Sequence, residues 1–433
     1  MKANLFHNGK RIKAALISAL LIIALSVSMV LGSFNPAFAY DAVKTSEVAP
    51  SITAQAAVVY SEDLDKVIFA KNETARMNPY SITKLMTAYV VVDNLPLDKQ
   101  ITIGDTYEGE DESSMKLEKG EVLTVEQLLQ GLLVASGNDA ARALAVAVAG
   151  SESAFAEMMN KQAADWGCTG THFTNASGMQ DANHYTTAAD FLIISREAMN
   201  NETIREITRI EKVVIPATNK SKQREYKNHT TLYSEEGSGI LGGKTGFWDE
   251  NDCSVALQYR KKDLSLTMVI LGDTKKGRIE DIKILAAAAH QTVPGFVVAK
   301  PSETVKHMWI KGGKKTFIPV YVTTSAYAYP ADGTDKSIKV ECTLKKGIKA
   351  PLKKGQIVGT CKVYADGKLK ATRTLVVRKA VAKGWFPSMF YISNAASVVI
   401  LVLVLALVAV IVLMKRKPKG GKPKSKTDTD TLE

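Results

Sequence analysis

The sequence predicts an α+β protein in which an antiparallel sheet flanked by helices is followed by a small all-β domain and a C-terminal transmembrane helix. Strand-like segments lie at both ends of the first part with helical segments between them, which is typical of a sheet packed against helices. After about residue 300, short alternating runs are separated by Gly, Lys and Asp turns. Residues 395–414 are 20 residues without a charge, enough to span a bilayer.

The two ends of the chain predict export and anchoring. Four basic residues precede the apolar stretch 14–31, and Ala37-Phe38-Ala39 has the form of a cleavage site. Residues 1–39 are therefore predicted to be a secretory signal cleaved after about Ala39. The basic tail, 415–433, follows the predicted span, and by the positive-inside rule it is cytoplasmic. We expect a single-pass protein of the cell membrane whose main part is extracellular.

The net charge of +12 does not indicate nucleic-acid binding. The predicted signal contributes four basic residues, and the tail contributes seven basic and three acidic residues. About +4 is left for the whole exported part. Because most of the excess positive charge lies at the chain ends, nucleic-acid binding does not follow from the basic isoelectric point.

The exported part is too long for one ordinary hydrophobic core, so two domains are expected, at 44–295 and 300–382. The strand-like runs of the first lie at 54–60, 66–69, 254–259 and 264–271, and a helix is predicted at 279–291. Those of the second lie at 317–322, 338–344, 357–364 and 372–377. Ala365-Asp366-Gly367-Lys368 is a hairpin signal between the last two.

The first of three short motifs, Ser81-Ile82-Thr83-Lys84, predicts a serine nucleophile with a lysine as its base. A serine hydroxyl needs a base within hydrogen-bond reach at neutral pH. Serine and lysine three residues apart share one helix face, and burial or a second cation such as Lys244 favours the neutral amine. Pro79 precedes the motif and an apolar face follows it, so a helix is expected to begin near Ser81.

A second match to the same pattern lies at Ser113-Ser114-Met115-Lys116. This pattern occurs by chance in most chains of this size, so the surroundings decide between the two copies. The second copy lies among acidic residues and beside Gly120. It is predicted to be a charged loop, which leaves Ser81 as the candidate nucleophile.

The second motif, Ser136-Gly137-Asn138, lies between two predicted helices. The first begins at a capping box, 124–127, and an alanine-rich helix follows the motif. A Ser-Gly-Asn turn between buried helices presents a hydroxyl and an amide to the cleft between them. Ser136 and Asn138 are therefore predicted to act in that cleft, and helix capping is their alternative role.

The third motif, Lys244-Thr245-Gly246, is predicted to lead into the first strand of the hairpin at 254–271. The glycines of 242–246 let a ligand backbone approach the strand edge, as in peptide binding by strand addition. Lys244 and Thr245 are then expected to face an anionic group such as a peptide carboxylate. A lysine in a glycine-rich surface loop is the alternative.

The order of these motifs resembles the penicillin-binding protein and serine beta-lactamase superfamily. Residues 81–87 (SITKLMT), 136–141 (SGNDAA), 171–190 (THFTNASGMQDANHYTTAAD) and 244–246 are similar to the low-molecular-mass penicillin-binding proteins that are D-alanyl-D-alanine carboxypeptidases. Residues 350–359 resemble the C-terminal β domain of that family. The resemblance covers about residues 45–390 and implies a beta-lactamase/transpeptidase-like fold for the first domain.

The resemblance implies a serine peptidase that removes the terminal D-alanine from peptidoglycan stem peptides ending in D-Ala-D-Ala. Ser81 attacks the peptide carbonyl with Lys84 as base, and an acyl-enzyme forms. Ser136 and Asn138 relay protons and orient the substrate amide. Beta-lactam antibiotics inhibit such enzymes by acylating the same serine.

The resemblance also implies how the substrate is held. Lys244 and Thr245, with Gly246, bind the terminal carboxylate. An oxyanion hole is expected from the backbone N–H groups of Ser81 and Phe247. Arg278 matches an arginine near that carboxylate, and a solvated helix start is its alternative. His184 is expected to order the Thr186-Thr187 turn rather than to act as a base.

Two segments depart from the family pattern. After Gly246 the family continues with Thr and then Ala-Gly, whereas this chain continues with Phe247-Trp248-Asp249-Glu250-Asn251-Asp252. Asn228-His229-Thr230 stands where the family commonly has Asn-x-Asn. Both segments are expected to line the rim of the cleft, so they bear on substrate preference and deacylation rate.

The cysteines and histidines predict neither a metal site nor a cofactor, because no CxxC pair or ligand spacing is present. Cys342 and Cys361 occupy strand-like runs in one small region. A disulfide and two free buried thiols both fit this pattern.

Two other functions share parts of the pattern. A class A beta-lactamase has the three motifs but needs a Glu-containing deacylation loop between the second and third, and 150–235 has no convincing equivalent. The second alternative is an anchored protein that binds peptidoglycan or penicillin without turnover. Turnover of a D-Ala-D-Ala peptide separates the carboxypeptidase from the binding protein, and hydrolysis of penicillin faster than of the peptide would favour the beta-lactamase.

Overall fold

The structure, a computed structural model, describes residues 40–43, 50–105, 113–229 and 237–415. The predicted signal and all but the first residue of the predicted tail lie outside these ranges. The strands are β1 (Asp41–Ala42), β2 (Ala56–Ser61), β3 (Lys66–Lys71), β4 (Gln100–Thr102), β5 (Val122–Thr124), β6 (Lys212–Ile215), β7 (Arg224–Lys227), β8 (Ile240–Asp249), β9 (Asp252–Lys261), β10 (Leu264–Asp273), β11 (Phe296–Ala299), β12 (Lys306–Trp309), β13 (Phe317–Val322), β14 (Ala326–Ala328), β15 (Lys339–Leu344), β16 (Ile357–Ala365) and β17 (Lys368–Val376). The helices are α1 (Lys84–Asn94), α2 (Val125–Val134), α3 (Asn138–Ala149), α4 (Glu152–Asp165), α5 (Ala188–Asn200), α6 (Glu202–Thr208), α7 (Gly277–Thr292) and α8 (Asn394–Lys415).

The main sheet is antiparallel, with the strand order β3-β2-β10-β9-β8. Both faces of its central strands are buried, because alternate side chains point to opposite faces. Val58 of β2 and its partner Val269 of β10 pack in the core formed with the helices α1 to α5. Ala57 and its partner Ile270 pack in the core beneath α7. This arrangement confirms the predicted antiparallel sheet flanked by helices.

The third motif does not lead into the hairpin, as the sequence predicted, but lies within a strand of its own. Lys244, Thr245 and Gly246 belong to β8, the edge strand of the main sheet, and pair with Ala256, Val255 and Ser254 of β9. The Gly-rich composition of 242–246 hid this strand, because glycine is depleted in strands. One edge of β8 is therefore left unpaired by the main sheet.

Helix α1 is the central helix of the first part. It packs against α2, α3, α4, α5 and α6, and its apolar face, including Leu85 and Met86, is fully buried. The predicted capping box begins α2, since Thr124 Oγ1 accepts from Gln127 N–H and the Gln127 side chain accepts from Thr124 N–H. The turn that follows α2 reaches the start of α1, where Asn138 contacts Lys84.

The C-terminal part is built on a second antiparallel sheet, with the strand order β12-β13-β17-β16-β15. The hairpin predicted at 365–368 joins β16 to β17. Cys342 of β15 lies opposite Cys361 of β16, and the two form a disulfide. The structure thus decides between the disulfide and the free thiols that the sequence left open. Cys168 and Cys253 are buried free thiols.

The two parts are joined by a small sheet and by buried ion pairs. Strand β1 pairs with β11, and β11 pairs with β14, so both ends of the first part meet the second. Asp263, in the β9–β10 turn, pairs with Arg373 and also accepts a hydrogen bond from the Tyr327 N–H. Asp63 pairs with Lys370 at 2.9 Å, with both side chains nearly buried. These pairs hold the second sheet against one end of the first.

Helix α8 is long and apolar enough to cross a bilayer. Its segment Asn394–Val412 has a mean hydropathy of 3.3, and only 6% of an 18-residue window is buried against the rest of the chain. A core helix of a soluble protein would be buried instead. The helix agrees with the span predicted at 395–414.

The Asp263–Arg373 pair is expected to stabilise the junction between the two parts. Asp263→Asn keeps an acceptor for the Tyr327 N–H and tolerates the left-handed backbone at this turn (φ 61°). It leaves Arg373 without its carboxylate, so the free energy of unfolding should fall by about 2 kcal/mol. Urea denaturation of the full chain in detergent measures this fall. Glu280→Gln, in an exposed pair with Lys283, is the control and should cost less than about 0.5 kcal/mol; equal effects would contradict the prediction.

Candidate active site

Ser81 lies in a tight turn at the entrance to α1. Tyr80–Thr83 form a 3-10 turn, and the α-helix begins only at Lys84, three residues later than the sequence predicted. Tyr80 has a left-handed backbone (φ 52°), an uncommon conformation for an aromatic residue. The constrained turn presents the partly exposed Ser81 at the junction of β8 and the helices.

Lys84 is fully buried, and its amine contacts oxygen atoms from three segments of the chain. The Nζ atom lies 2.9 Å from Ser81 Oγ, 2.6 Å from Asn138 Oδ1 and 2.8 Å from the Ser177 carbonyl oxygen. These distances place the amine within proton-transfer range of the Ser81 hydroxyl. The residue pair predicted from the first motif is therefore brought together.

The turn between α2 and α3 places the second motif beside this amine. Ser136 is nearly buried and has a left-handed backbone (φ 61°), while Asn138 begins α3 and reaches Lys84. Among the described residues the Ser136 hydroxyl has no hydrogen bond, so it is available to a substrate. Its side chain does not cap α3, because Gly137 occupies the N-cap position of that helix.

The second match to the serine–lysine pattern is a loop, as predicted. Its described residues, 113–116, contain no helix, and their backbone binds the start of α3. Ser113 O accepts from Asn138 N–H at 2.8 Å, and Asp139 accepts from Met115 N–H at 2.9 Å. This loop supports the second motif from outside the site.

Ser177 and Gly178 are site residues that the motifs did not identify. The Ser177 carbonyl contacts Lys84. Gly178 lies so close to the turn Tyr80–Thr83, the nucleophile turn, that a Cβ atom on Gly178 would be 1.9 Å from Tyr80 O. Asn175 Oδ1 accepts from the N–H groups of Ser177, Gly178 and Met179 and orders this loop. The Asn-Ala-Ser-Gly sequence is a turn signal, but it does not reveal what the turn contacts.

His184 stabilises the nucleophile turn through a hydrogen bond to Thr83. Its Nδ1 accepts from the Thr174 N–H at 3.1 Å, so Nε2 carries the proton and donates to Thr83 Oγ1 at 3.0 Å. Burial lowers its pKa to about 4, and the ring is therefore neutral at physiological pH. The expected contact with the Thr186-Thr187 turn is replaced by contacts with Thr83 and Thr174.

The third motif packs against the turn that carries Ser81. A Cβ atom at Gly246 would lie 2.8 Å from Pro79 O, so the absence of a side chain lets β8 pack directly on the nucleophile turn. Lys244 is buried, and its Nζ donates to the Thr245 carbonyl at 2.9 Å. Burial, and then the charge of Arg278, lower the pKa of Lys244 to about 7. Thr245 is also buried, beside it in the strand.

Arg278 is buried rather than solvated. It lies in the first turn of α7, and its Nη1 donates to the carbonyls of Gly246 and Ser254 at 2.7 and 2.8 Å. These two residues face each other across β8 and β9. Arg278 therefore fixes the motif strand while placing a positive charge close to Lys244.

The rim of the site carries the residues that depart from the family pattern. Phe247 and Trp248 are about half exposed, and the Trp248 ring stacks on Tyr80 with centroids 6.1 Å apart. Tyr80 also donates to Asp252 at 2.6 Å. Burial of the His229 ring, and then the charges of Lys244 and Arg278, lower the pKa of His229.

Comparison with known proteins shows which class this fold and site define. A family model for D-alanyl-D-alanine carboxypeptidases matches residues 43–275, and one for the C-terminal domain of penicillin-binding protein 5 matches residues 297–383. The carboxypeptidase DacF of Bacillus subtilis is 30% identical over 84% of this chain and 95% of its own length. Penicillin-binding protein 5 of Haemophilus influenzae has a similar structure, with a TM-score of 0.54, 26% identity, and coverage of 78% of this chain and 100% of that one.

A DD-transpeptidase of Streptomyces also resembles the first part, with a TM-score of 0.52, 28% identity, and coverage of 56% of this chain and 98% of that one. The chain is thus a serine hydrolase with the beta-lactamase/transpeptidase-like fold and an added β domain. It belongs to the D-alanyl-D-alanine carboxypeptidase family. The fold and the enzyme class predicted from the sequence are confirmed.

The depressed pKa of His184 predicts a specific loss of stability in acid. The unfolded state has the ordinary pKa near 6.5, so between about pH 6.5 and 4 it binds a proton that the folded state does not. The full free energy of unfolding should be present above about pH 6.5, and it should fall by about 3 kcal/mol as the pH is lowered to about 4. Urea denaturation of wild type and of His184→Gln, each at about pH 6.5 and about pH 4, measures how much stability each protein loses in acid. Parallel losses in the two proteins would contradict this account.

Proposed function

We propose that this chain is an anchored D-alanyl-D-alanine carboxypeptidase that removes the terminal D-alanine from peptidoglycan stem peptides through an acyl-enzyme on Ser81. The observation that carries the proposal is the 2.9 Å contact between the buried Lys84 amine and the Ser81 hydroxyl. An amine that is shielded from water and held by Asn138 and Ser177 is positioned to accept the hydroxyl proton.

The reaction proceeds in two halves. Ser81 Oγ bonds to the carbonyl carbon of the penultimate D-alanine while its proton passes to Lys84 Nζ. The C–N bond then breaks, and the leaving amine of the terminal D-alanine takes a proton relayed through Ser136. Water then attacks the ester carbonyl and gives a proton to the same relay, and Lys84 returns a proton to Ser81 Oγ as the ester C–O bond breaks. Asn138 holds the Lys84 amine through its Oδ1 and orients the substrate amide.

The electrostatic contacts of the substrate come from β8 and the nucleophile turn. Lys244 and Thr245 bind the terminal carboxylate beside Gly246, and Arg278 adds positive potential while it holds the strand in place. The backbone N–H groups of Ser81 and Phe247 form the oxyanion hole. Such donors typically contribute about 3 kcal/mol each to transition-state stabilisation.

The same site accounts for acylation by penicillins, which carry a carboxylate next to a reactive amide. Signal cleavage near Ala39 and insertion of α8 place the site outside the cell, where peptidoglycan lies. The C-terminal β domain distinguishes this architecture from that of a class A beta-lactamase. A binding protein without turnover is the remaining alternative, and it is tested below.

Acylation and turnover should both depend on Ser81. After incubation with benzylpenicillin, intact-mass measurement should show a single adduct on wild type and none on Ser81→Ala. Wild type should also release D-alanine from diacetyl-Lys-D-Ala-D-Ala. Ser113→Ala, in the second match to the pattern, is the matched control and should retain both activities. An adduct without D-alanine release would support a binding protein, and an adduct on Ser81→Ala would refute the proposed nucleophile.

Carboxylate binding should weaken as the pH rises, because Lys244 loses its positive charge above about pH 7. In a Ser81→Ala background, which binds without turnover, the affinity for the same peptide should fall roughly tenfold between about pH 7 and about pH 9. Lys244→Arg keeps its charge throughout and should give a flat profile. Calorimetric titration measures both. A flat profile for Lys244 would show that its charge is not what binds the carboxylate.

A further inference from the structure

The exported part of the chain separates its charges between two regions. Residues 301–383 contain 18 Lys and Arg against five Asp and Glu, whereas residues 40–300 contain 27 against 36. The small second region is thus strongly basic, and the larger region that carries the proposed active site is acidic. A peptide-binding site in the first region gives no reason for this charge, so a separate anionic partner is indicated for the second.

A groove in the basic region has the shape and chemistry of a ligand site. Its volume is 380 Å³, and it lies between β12 and the loop after β15. Its wall combines cations with aromatic rings: Lys311, Lys345, Lys349, His307, Trp309 and Tyr391. His307 Nδ1 is buried and has no hydrogen-bond partner among the described residues. A wall of this kind fits a compact anion attached to an apolar body.

The aromatic rings beside the groove continue from it to the C-terminal helix. His307 and Trp309 each contact Phe317, with centroids 4.8 Å apart, and Trp309 contacts Tyr391 at 6.4 Å. Trp309 and Phe317 are about 40% exposed, while Phe386 and Phe390 near the helix are more exposed still. Exposed Trp and Tyr side chains of this kind are enriched at membrane interfaces.

With α8 inserted in a bilayer, the groove would lie near the level of the lipid headgroups. Tyr391 precedes the first residue of α8, Asn394, by three residues, which span at most about 11 Å. A headgroup layer is roughly 5–8 Å thick. The segment before α8 is also bound to the loop between β12 and β13, which carries Lys311 of the groove, because Gly312 N–H donates to Ser388 O and Asn394 N–H to Lys314 O. The groove therefore cannot move far from the membrane once α8 is inserted.

We propose that this groove binds the phosphate headgroup of an anionic phospholipid in the leaflet that α8 enters, so that the β domain lies against the membrane. The inference rests on the proposed membrane anchorage and not on the proposed catalysis. Lys311, Lys345 and Lys349 surround the phosphate, and Trp309 and Tyr391 lie at the level of the headgroups. The sheet contacts the first part near its other end, where Lys370 binds Asp63, so lipid binding orients the active site above the surface.

The test uses the full chain in nanodiscs of zwitterionic lipid alone or with about 30% phosphatidylglycerol, both brominated near the headgroup to quench tryptophan fluorescence. Comparison with Trp309→Phe isolates the signal of Trp309 from the other three tryptophans. Phosphatidylglycerol should increase the quenching of Trp309, and salt at about 1 M should reverse the increase.

Two triple variants separate the groove from the general charge of the domain. Lys311→Ala with Lys345→Ala and Lys349→Ala should abolish the increase, since losing three such lysines weakens docking roughly 100-fold. The matched control replaces Lys336, Lys339 and Lys368 by Ala at the hairpin end of the sheet and should retain it. Equal quenching in both lipids, or equal effects of the two triples, would overturn the proposal.

A further outcome concerns a different anionic partner. Soluble poly(glycerol phosphate) added to discs of zwitterionic lipid should not change Trp309 fluorescence, and a saturable change without any phosphatidylglycerol effect would refute a lipid ligand. Penicillin acylation, measured on every variant, should stay unchanged. If wild type itself is not acylated by penicillin, the proposed function is rejected, whereas the result of the lipid test remains valid.

Discussion

The structure of the site depends on the burial of one amine. Lys84 is fully enclosed, and a buried amine must find polar partners or be strongly destabilising. Its partners are the Ser81 hydroxyl, the Asn138 amide and the Ser177 carbonyl, and the last two lie 54 and 93 residues from Lys84 along the chain. The requirement to satisfy this amine therefore holds the nucleophile turn, the α2–α3 turn and the loop before α5 in one arrangement.

Close backbone approach completes that arrangement. Gly178 and Gly246 both pack against the nucleophile turn, each where a Cβ atom would overlap the backbone of Pro79 or Tyr80. His184 supports the turn through Thr83, and Arg278 supports β8 through two carbonyls. Ser81 is thus held by neighbours that need no substrate to position them, as preorganised catalysis requires.

The β domain is also held in place by contacts with its neighbours, at both of its ends. Buried pairs at Asp63 and Asp263 hold it to the first part, and backbone hydrogen bonds hold it to the segment before α8. With both ends fixed, a lipid bound in its groove would set the direction in which the active site faces. The basic composition of this domain then has a function that is separate from catalysis.

The sequence alone determined the elements with local signals: the apolar span, the capping box of α2, the hairpin at 365–368, and the serine–lysine pair, which one helical turn brings together. Only the tertiary structure decided the contacts that join distant segments. Ser177, Gly178 and the partners of His184 and Arg278 follow from packing between elements, and β8 is a strand because β9 pairs with it despite its glycines. The Cys342–Cys361 bond likewise required the register of β15 on β16. The spacing of residues along a chain shows which side chains are neighbours on one helix or strand. Strand register and the close approach of two backbones depend on how all the elements pack together.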